Sequence, residues 1–247
     1  MENRALVVVP LYNEEATLRE VLSEVRSAVP AADVLVVDDG STDRSPAILA
    51  EAAARDPQVR VLTHPDNLGY GQALIDGFTW AVQRGYRRVV TIDCDAQHEP
   101  ARIPAFLAAL ADADIVSGSR YLDPALRGDP PPPDRLALNR ETTALLRRLT
   151  GYPLTDAWCG FKAYRGEALA RLRLDEPGYG LPLQVWIQAW RLRLRVVELP
   201  VARVYKNPAR RFWGGLDDPE TRRRYYRSVL ERELARAGLS LALASAE

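Results

Sequence analysis

Two carboxylates, Asp93 and Asp95, follow the run Val89–Ile92 with a single residue between them. Two side chains at this spacing after a strand can converge on one hard divalent cation, and carboxylate oxygens are ligands that Mg²⁺ and Mn²⁺ prefer. Such a cation can bridge diphosphate oxygens and neutralise charge on a leaving group. Because an Asp-x-Asp triplet also arises by chance, the neighbouring residues determine whether it indicates a metal site. We interpret the intervening Cys94 as a small buried residue.

Polar clusters also follow four other predicted strands. The five clusters are Pro10–Glu15, Asp38–Asp43, Asn67–Gly69, Asp93–Gln97 and Gly118–Tyr121. In an open parallel sheet, ligands bind outside the carboxyl ends of the strands. Helix capping explains any one cluster, but it does not readily explain five of them on one rim. The pattern therefore indicates a ligand site along this edge.

Alternating strands and helices must position these clusters. Strands are predicted at Ala5–Val9, Val34–Val37, Val59–Thr63, Arg88–Ile92 and from Ile115. Helices are predicted between them at Glu14–Val29, Ser45–Arg55, Gly71–Arg84 and Pro100–Ala111. Apolar strands joined by helices are typical of a doubly wound, mostly parallel α/β sheet with right-handed crossovers.

The second half of the chain has a different pattern. A long loop at Asp123–Asp134 contains the run Pro130–Pro133, and loops of this length are usually functional or mobile. The elements predicted after it are a helix at Leu136–Thr150, a helix at Leu181–Leu194, a strand at Val196–Val201 and a helix at Glu220–Ala237. The last helix is rich in Arg and Glu, which favours a packed or solvated helix over one that lies on a membrane.

The composition excludes several classes of protein. The 247 residues are 47% hydrophobic and 27% charged, and the formal net charge is zero. A disordered chain and a nucleic-acid-binding protein with a basic field are therefore not expected. No apolar run approaches the roughly 20 residues that span a bilayer, and Ala5–Leu11 lacks the features of a signal peptide. We expect a soluble or peripheral cytoplasmic protein with reduced cysteines.

The clusters, in their order, resemble the family 2 glycosyltransferases with the GT-A fold, and most of all the dolichyl- or polyprenyl-phosphate mannose synthase branch. The resemblance continues through Asp156–Tyr164 and Glu198–Val201 and covers roughly residues 4 to 211. It implies a GT-A domain over residues 1–215, with a nucleotide-binding half at about 1–122 and an acceptor-facing half at about 123–215. Residues 216–247 would form a helical tail.

The resemblance also implies roles for individual residues. The nucleotide would be lined by Pro10, Tyr12, Glu14, Asp39 and Asn67. Asp93 would lie at the diphosphate and the sugar, and Asp95 and Gln97 would hold Mg²⁺ or Mn²⁺. An acceptor phosphate would face Arg120 and Arg135, since arginine binds phosphate through two parallel hydrogen bonds; the alternative for Arg135 is a solvated charge at the start of a helix. Lys206 and Arg210 would bind phosphates of the donor or of the acceptor. His98, beside this group, is expected in an outer-shell or capping role.

Gln184 departs from the pattern of many family 2 enzymes, which carry an acidic residue at this place. A hydroxyl acceptor needs a base to remove its proton, whereas a phosphate acceptor is already anionic. Gln184 therefore mildly favours a phosphate acceptor, unless Asp156 serves as the base. The equal alternative is that Gln184 is an ordinary helix residue.

The resulting prediction is an inverting, metal-dependent hexosyltransferase. Its donor would be a GDP- or UDP-sugar and its acceptor a polyprenyl phosphate on the cytoplasmic membrane face. The alternatives are transfer to a hydroxyl acceptor, a nucleotidyltransferase, and a degenerate protein that only binds sugar nucleotides. The absence of glycine from Pro10–Glu15 speaks against the nucleotidyltransferase, which usually has a glycine-rich loop after its first strand. The sequence does not indicate the oligomeric state, the nucleotide or the sugar.

Overall fold

The computed structural model describes residues 4–126, 128, 130–204 and 216–240. Seven strands form one sheet among these residues. They are β1 (Ala5–Leu11), β2 (Asp33–Asp38), β3 (Val59–Thr63), β4 (Arg88–Thr91), β5 (Ile115–Ser119), β6 (Lys162–Arg165) and β7 (Val196–Pro200). Every strand predicted from the sequence is present, and β6 is additional.

The sheet has the order β3-β2-β1-β4-β6-β5-β7. The pairs β1–β2, β1–β4, β2–β3 and β5–β7 are parallel. Only β6 runs against its neighbours β4 and β5. The predicted doubly wound, mostly parallel sheet is therefore confirmed, with one antiparallel strand inserted into it. That strand brings the Asp156–Phe161 segment, which precedes it, to the carboxyl end of β4.

Eight α-helices flank the sheet in the described residues. They are α1 (Leu18–Ala28), α2 (Ser45–Arg55), α3 (Tyr70–Gln83), α4 (Ile103–Ala109), α5 (Pro133–Thr150), α6 (Gly166–Leu169), α7 (Leu181–Arg191) and α8 (Pro219–Arg236). The predicted helix at Pro100–Ala111 is divided into a 3-10 turn at Pro100–Arg102 and α4. Proline has no N–H to donate, so Pro104 is accommodated in the first turn of α4.

Apolar clusters cover both faces of the sheet. Alternate residues of β1 point to opposite faces, so Val7 and Val9 lie in one cluster while Leu6 and Val8 lie in the other. Helices α1, α2 and α4 pack on the first face, and α3, α6 and α7 pack on the second. Burial on both faces explains why the parallel strands consist of continuous apolar runs.

The helix α8 is packed against the rest of the protein along one face. Its residues Tyr226, Val229, Leu230 and Leu234 share a buried cluster with residues of α5 and α7. This contact supports the packed-helix interpretation of the Arg- and Glu-rich segment. None of the helices in the described ranges is long and apolar enough to cross a membrane.

Candidate active site

The loops after β1 and β2 are bound to each other at the carboxyl edge of the sheet. The side-chain oxygen of Asn13 accepts hydrogen bonds from the N–H groups of Thr42 (2.8 Å) and Asp43 (3.2 Å). Asn13 adopts a left-handed backbone with φ of 54°, which asparagine tolerates better than most residues. Of the predicted nucleotide residues, Pro10 is buried in β1, Glu14 is partly buried and Tyr12 is exposed. The exposed ring of Tyr12 is thus available to a ligand.

Asp39 organises the loop that follows β3. One carboxylate oxygen lies 2.7 Å from His64 Nδ1 and accepts from the N–H of Leu68 at 2.9 Å. The other accepts from the N–H of Gly69 at 2.8 Å. These bonds hold the segment containing the half-buried Asn67 against the end of β2. The structure therefore brings Asp39 and Asn67 to one side of the rim, where direct contact with a nucleotide stays a prediction.

Asp93 lies in a narrow slot at the end of β4. Its two carboxylate oxygens are approached separately, by Tyr70 Oη at 3.0 Å and by His98 Nε2 at 3.2 Å. A Cβ atom on Gly160 would stand 2.3 Å from Asp93 Oδ2, so only glycine fits there. Burial and the Asp93 carboxylate raise the pKa of Tyr70 well above its ordinary value, which keeps the phenol protonated as a donor. His98 thus lies next to Asp93, and its outer-shell or capping role stays a prediction.

The segment Asp95-Ala96-Gln97 forms a tight turn next to this slot. Ala96 has a left-handed φ of 54°, a strained conformation that often marks functional sites. The N–H of Gln97 donates to Asp95 Oδ1 at 3.1 Å, and Thr17 Oγ1 donates to the carbonyl of Cys94 at 2.6 Å. Both predicted metal ligands are therefore held on one turn, close to Asp93.

The donor atoms of this turn fit Mg²⁺ or Mn²⁺. Carboxylate and amide oxygens are hard ligands, and Mg²⁺ is commonly bound by one or two carboxylates together with substrate phosphates and water. The described ranges contain no group of three His, Cys, Asp or Glu side chains arranged to hold a metal. A cation at Asp95 and Gln97 would therefore need further oxygen ligands, such as those of a bound diphosphate and water.

Arg120 and Asp156 form a largely buried ion pair. Arg120 donates to the two oxygens of Asp156 through Nε at 2.6 Å and Nη2 at 3.0 Å. Asp156 also accepts from the backbone N–H of Arg120, from Asn139 Nδ2 and from the N–H of Trp158. Burial alone would raise the pKa of Asp156, but Arg120 and the hydrogen bonds outweigh it, and the pKa lies below its ordinary value.

The geometry does not suit Asp156 for the role of a base, which the sequence left open. A general base needs an accessible oxygen and a pKa near the working pH. Asp156 is fully buried and its oxygens already accept five hydrogen bonds. We therefore interpret it as the partner that fixes the position and charge of Arg120.

Gln184, the other catalytic candidate, lies in a buried hub between α7 and α8. Its amide oxygen accepts from the N–H groups of Asp175 (2.9 Å) and Glu176 (3.1 Å). Its amide nitrogen donates to Asp175 Oδ1 (2.7 Å) and Glu233 Oε1 (2.8 Å). All four hydrogen-bonding positions are used, so the side chain has a structural role here and we do not carry it forward as a catalytic residue.

Lys162 is a buried cation that the sequence analysis did not single out. Its ammonium donates to the carbonyl of Cys159 and lies 5.4 Å from the ring centre of Trp186. Burial lowers the pKa of Lys162, while the nearby Cys159, Asp156 and Asp93 act in the opposite direction. Lys162 therefore lies within electrostatic reach of both Asp93 and Asp156. Its place within the Asp156–Tyr164 motif was the signal available from the sequence.

A cavity of about 490 Å³ opens beside Arg120. Four arginines lie on its wall, namely Arg120, Arg140, Arg147 and Arg203. Its apolar lining includes Pro124, Pro130, Pro131, Leu136 and Leu154. Among the residues that the structure describes, Asp123 is the one carboxylate in this lining. The excess of arginine over carboxylate in this described lining, together with its apolar surface, suits a ligand that has an anionic head and a hydrocarbon part.

The remaining predicted phosphate ligands have separate positions. Arg135 is half-buried in the first turn of α5, the helix that forms one wall of the cavity. Lys206 and Arg210 lie outside the described residues. The structure thus brings Arg120 and α5 together on the wall of one cavity. Direct contact of these cations with a phosphate stays a prediction.

Comparison with protein families and known proteins gives consistent matches. The sequence model described as glycosyl transferase family 2 matches residues 6–173. An undecaprenyl-phosphate mannosyltransferase of Micrococcus luteus is 38% identical over 201 residues, which cover 80% of this chain and 82% of that protein. A polyprenol monophosphomannose synthase of Mycolicibacterium smegmatis is 36% identical over 203 residues, which cover 80% and 76%.

A solved structure also resembles the fold. It is the crystal structure of glucosyl-3-phosphoglycerate synthase from Mycobacterium tuberculosis in complex with Mn²⁺ and UDP-glucose. It superimposes with a TM-score of 0.69 at 25% identity and covers 96% of this chain and 80% of that chain.

Proposed function

This chain belongs to glycosyl transferase family 2 and has the GT-A fold, and on this basis we propose that it transfers a sugar from a nucleoside-diphosphate sugar to a polyprenyl phosphate. The observation that carries the acceptor assignment is the cavity lined by arginines and apolar side chains beside Arg120. A polyprenyl phosphate has the two properties that this lining suits, an anionic head and a hydrocarbon chain. The names of the two relatives at 38% and 36% identity point to the same class of acceptor.

The chemistry is a displacement at the anomeric carbon with inversion. A phosphate oxygen of the acceptor forms a bond to this carbon, while the bond to the diphosphate oxygen breaks and the nucleoside diphosphate leaves. Because the attacking phosphate is already anionic, no protein base has to remove a proton. The saturated hydrogen bonding of Asp156 and the buried position of Gln184 are consistent with such an acceptor.

Arg120 has a defined part in this proposal. Its Nε and Nη2 atoms are bound by Asp156, which fixes the plane of the guanidinium at the cavity wall. A preorganised cation stabilises an anionic reactant without reorganisation during the reaction. Arg135 at the start of α5, with Lys206 and Arg210, would add positive charge for the acceptor phosphate.

The donor would lie along the rim from Tyr12 to Asp93. We propose that Pro10, Tyr12, Glu14, Asp39 and Asn67 surround the nucleoside, with Asp93 at the diphosphate and the sugar. Asp95 and Gln97 would hold Mg²⁺ or Mn²⁺, which would neutralise the charge of the leaving diphosphate. Because the acceptor resides in a bilayer, we propose peripheral contact with the cytoplasmic membrane face.

A transfer assay with a panel of donors and acceptors tests this function. Purified protein and Mn²⁺ would be incubated with each nucleotide sugar and either undecaprenyl phosphate or soluble hydroxylated acceptors. We expect a glycosylated lipid phosphate with at least one GDP- or UDP-sugar. Transfer only to hydroxyl acceptors would replace the acceptor assignment, and donor binding without transfer to any acceptor would indicate a protein that only binds sugar nucleotides.

A further inference from the structure

The carboxylate of Asp93 is held in one orientation by groups from two other segments. Tyr70 Oη donates to Oδ1 at 3.0 Å, and His98 Nε2 lies 3.2 Å from Oδ2. The missing side chain of Gly160 leaves room for the carboxylate and for little else. Among these partners, Tyr70 lies in the first turn of α3.

Tyr70 is itself fixed by the segment Asp175–Gly180. Its ring stacks on the ring of Tyr179, with centroids 5.6 Å apart and planes inclined by 16°. The N–H of Gln72 donates to the carbonyl of Pro177 at 3.0 Å. A Cβ atom on Gly71 would stand 2.2 Å from the carbonyl oxygen of Glu176. The segment therefore lies in direct backbone contact with the first turn of α3.

The helix α8 anchors this segment from behind. The buried carboxylate of Glu176 accepts from Tyr225 and pairs with Arg232. The N–H of Gly180 donates to Tyr225 Oη at 3.0 Å. An unbroken set of contacts thus runs from α8 through Tyr179 and Tyr70 to Asp93. The segment and α8 both lie beyond residues 6–173, the part of the chain that the family model matches.

We propose that Tyr70 is a positioning residue for sugar transfer, which orients Asp93 through its hydroxyl and is itself held by the ring of Tyr179. The inference rests on the proposed function, because it assigns Asp93 to the donor. Asp93 and a diphosphate are both anionic, so a neutral donor on Oδ1 directs the carboxylate and withdraws part of its charge. Small displacements of such a group lower the rate of a reaction far more than they weaken binding.

Tyr70→Phe tests this proposal, with Tyr86→Phe as a matched control. Tyr86 has the same two features at the opposite edge of the sheet. Its hydroxyl donates to Asp33 Oδ2 at 2.6 Å, and its ring stacks on Trp80 at 5.7 Å. Each substitution removes one tyrosine hydroxyl that donates a hydrogen bond to an aspartate. Only Tyr70 contacts the candidate site. The measurements are kcat, KM for the donor, donor affinity by calorimetry, and Tm.

For Tyr70→Phe we expect kcat to fall by about ten- to a hundredfold, the range found when a supporting contact of a functional group is removed. Donor affinity should change by less than about threefold, because the carboxylate is still present. Tyr86→Phe should lower Tm to a similar extent without lowering kcat. An unchanged kcat in Tyr70→Phe, or equal losses in the two variants, would overturn the proposal.

A second pair of variants tests the ring contact. Tyr179→Phe keeps the stacking ring and should keep most of the activity, whereas Tyr179→Ala should lower kcat. If both residues act through one carboxylate, the double variant Tyr70→Phe/Tyr179→Ala should be far less impaired than the product of the single effects. Fully multiplicative effects would overturn the role of Tyr179. If the wild type transfers no sugar to a polyprenyl phosphate, the proposed function fails, and the same variants are then compared by donor hydrolysis.

Discussion

At the scale of single residues, the ion pair of Arg120 and Asp156 shows how burial changes the energetic cost of a charge. Asp156 is completely buried and the Arg120 side chain is 17% exposed. Removing two charges from water is costly, and only good geometry with further hydrogen bonds compensates for it. The five hydrogen bonds to Asp156 supply that compensation. The pair therefore holds the Arg120 cation at the cavity wall. Removal of one partner should strongly lower the free energy of unfolding.

Asp156→Asn should lower the free energy of unfolding by about 3–5 kcal/mol, the usual cost of leaving one member of a buried pair uncompensated. Urea denaturation followed by circular dichroism measures this change. The matched control is Glu51→Gln, which breaks the exposed pair with Arg19 and should leave the midpoint unchanged. Equal effects of the two substitutions would show that the buried pair contributes no more to the free energy of unfolding than the exposed pair.

The same residue predicts a pH dependence of stability. Because the pKa of Asp156 in the folded protein lies below its ordinary value of 3.8, the unfolded chain binds a proton at this group more readily than the folded protein. The stabilisation is therefore complete above the unfolded pKa and is lost as the pH falls through the folded pKa. As the pH falls below about 4, the wild type should lose stability more steeply than Asp156→Asn. Parallel curves in urea titrations at each pH would contradict this.

At the scale of elements, the sequence predicted regular pieces well and context-dependent pieces poorly. The bounds of α2 and β3 were predicted correctly because turn residues flank a periodic apolar run. The helix α1 begins at Leu18 instead of Glu14, since residues 14–17 form a turn in which Thr17 bonds to Cys94. The strand β6 has only four residues, including Lys162 and Arg165. Its pairing with β4 and β5 was not visible locally.

The candidate site shows the same division. The sequence singled out Asp93, Asp95 and Gln97 as candidate site residues because they directly follow a predicted strand on one continuous stretch of chain. Tyr70 was not predicted, because its contact with Asp93 joins positions 23 residues apart. The burial of Gln184 was also invisible, since it depends on α8, whose Glu233 is 49 residues further along the chain. Sequence patterns report the edge of the sheet on which a residue lies, but not the partner that comes from another element.

The hub around Gln184 gives a prediction about α7 and α8. Gln184→Glu would introduce the acid that many family 2 enzymes carry at this place, but here it would face Asp175 and Glu233. Three carboxylates would then meet where an amide now donates to two of them. We expect the free energy of unfolding to fall by at least about 2 kcal/mol, with no gain of transfer to hydroxyl acceptors.

Gln188→Glu is the matched control for this substitution. Gln188 Nε2 also donates to Glu233, at 3.0 Å, so this change should destabilise the same hub to a similar extent. Gln184→Glu could instead be as stable as the wild type, or it alone could gain transfer to a hydroxyl acceptor. Either outcome would mean that the side chain at position 184 faces the substrates and that the structural interpretation is wrong. Thermal denaturation and the acceptor panel measure the two outcomes.

At the scale of the whole molecule, the two halves of the chain meet at the Asp93 slot. The first half supplies β4 and the turn of Asp95 and Gln97, and the second supplies Gly160. A donor diphosphate at the slot would complete a cation site that the protein oxygens do not complete alone. Metal and donor should therefore bind cooperatively, each raising the affinity of the other by the same factor.

A thermal-shift experiment measures this coupling without catalysis. The right nucleotide sugar should raise Tm more with Mn²⁺ present than without it, because ligand binding to the folded state stabilises by mass action. Asp95→Asn should abolish the additional shift and should keep the part that is independent of metal. Asp114→Asn is the control, since Asp114 accepts from the N–H of Arg195 at the opposite end of β5. An additional shift that survives in Asp95→Asn would mean that the cation binds elsewhere, and EDTA should then remove the shift equally from all three proteins.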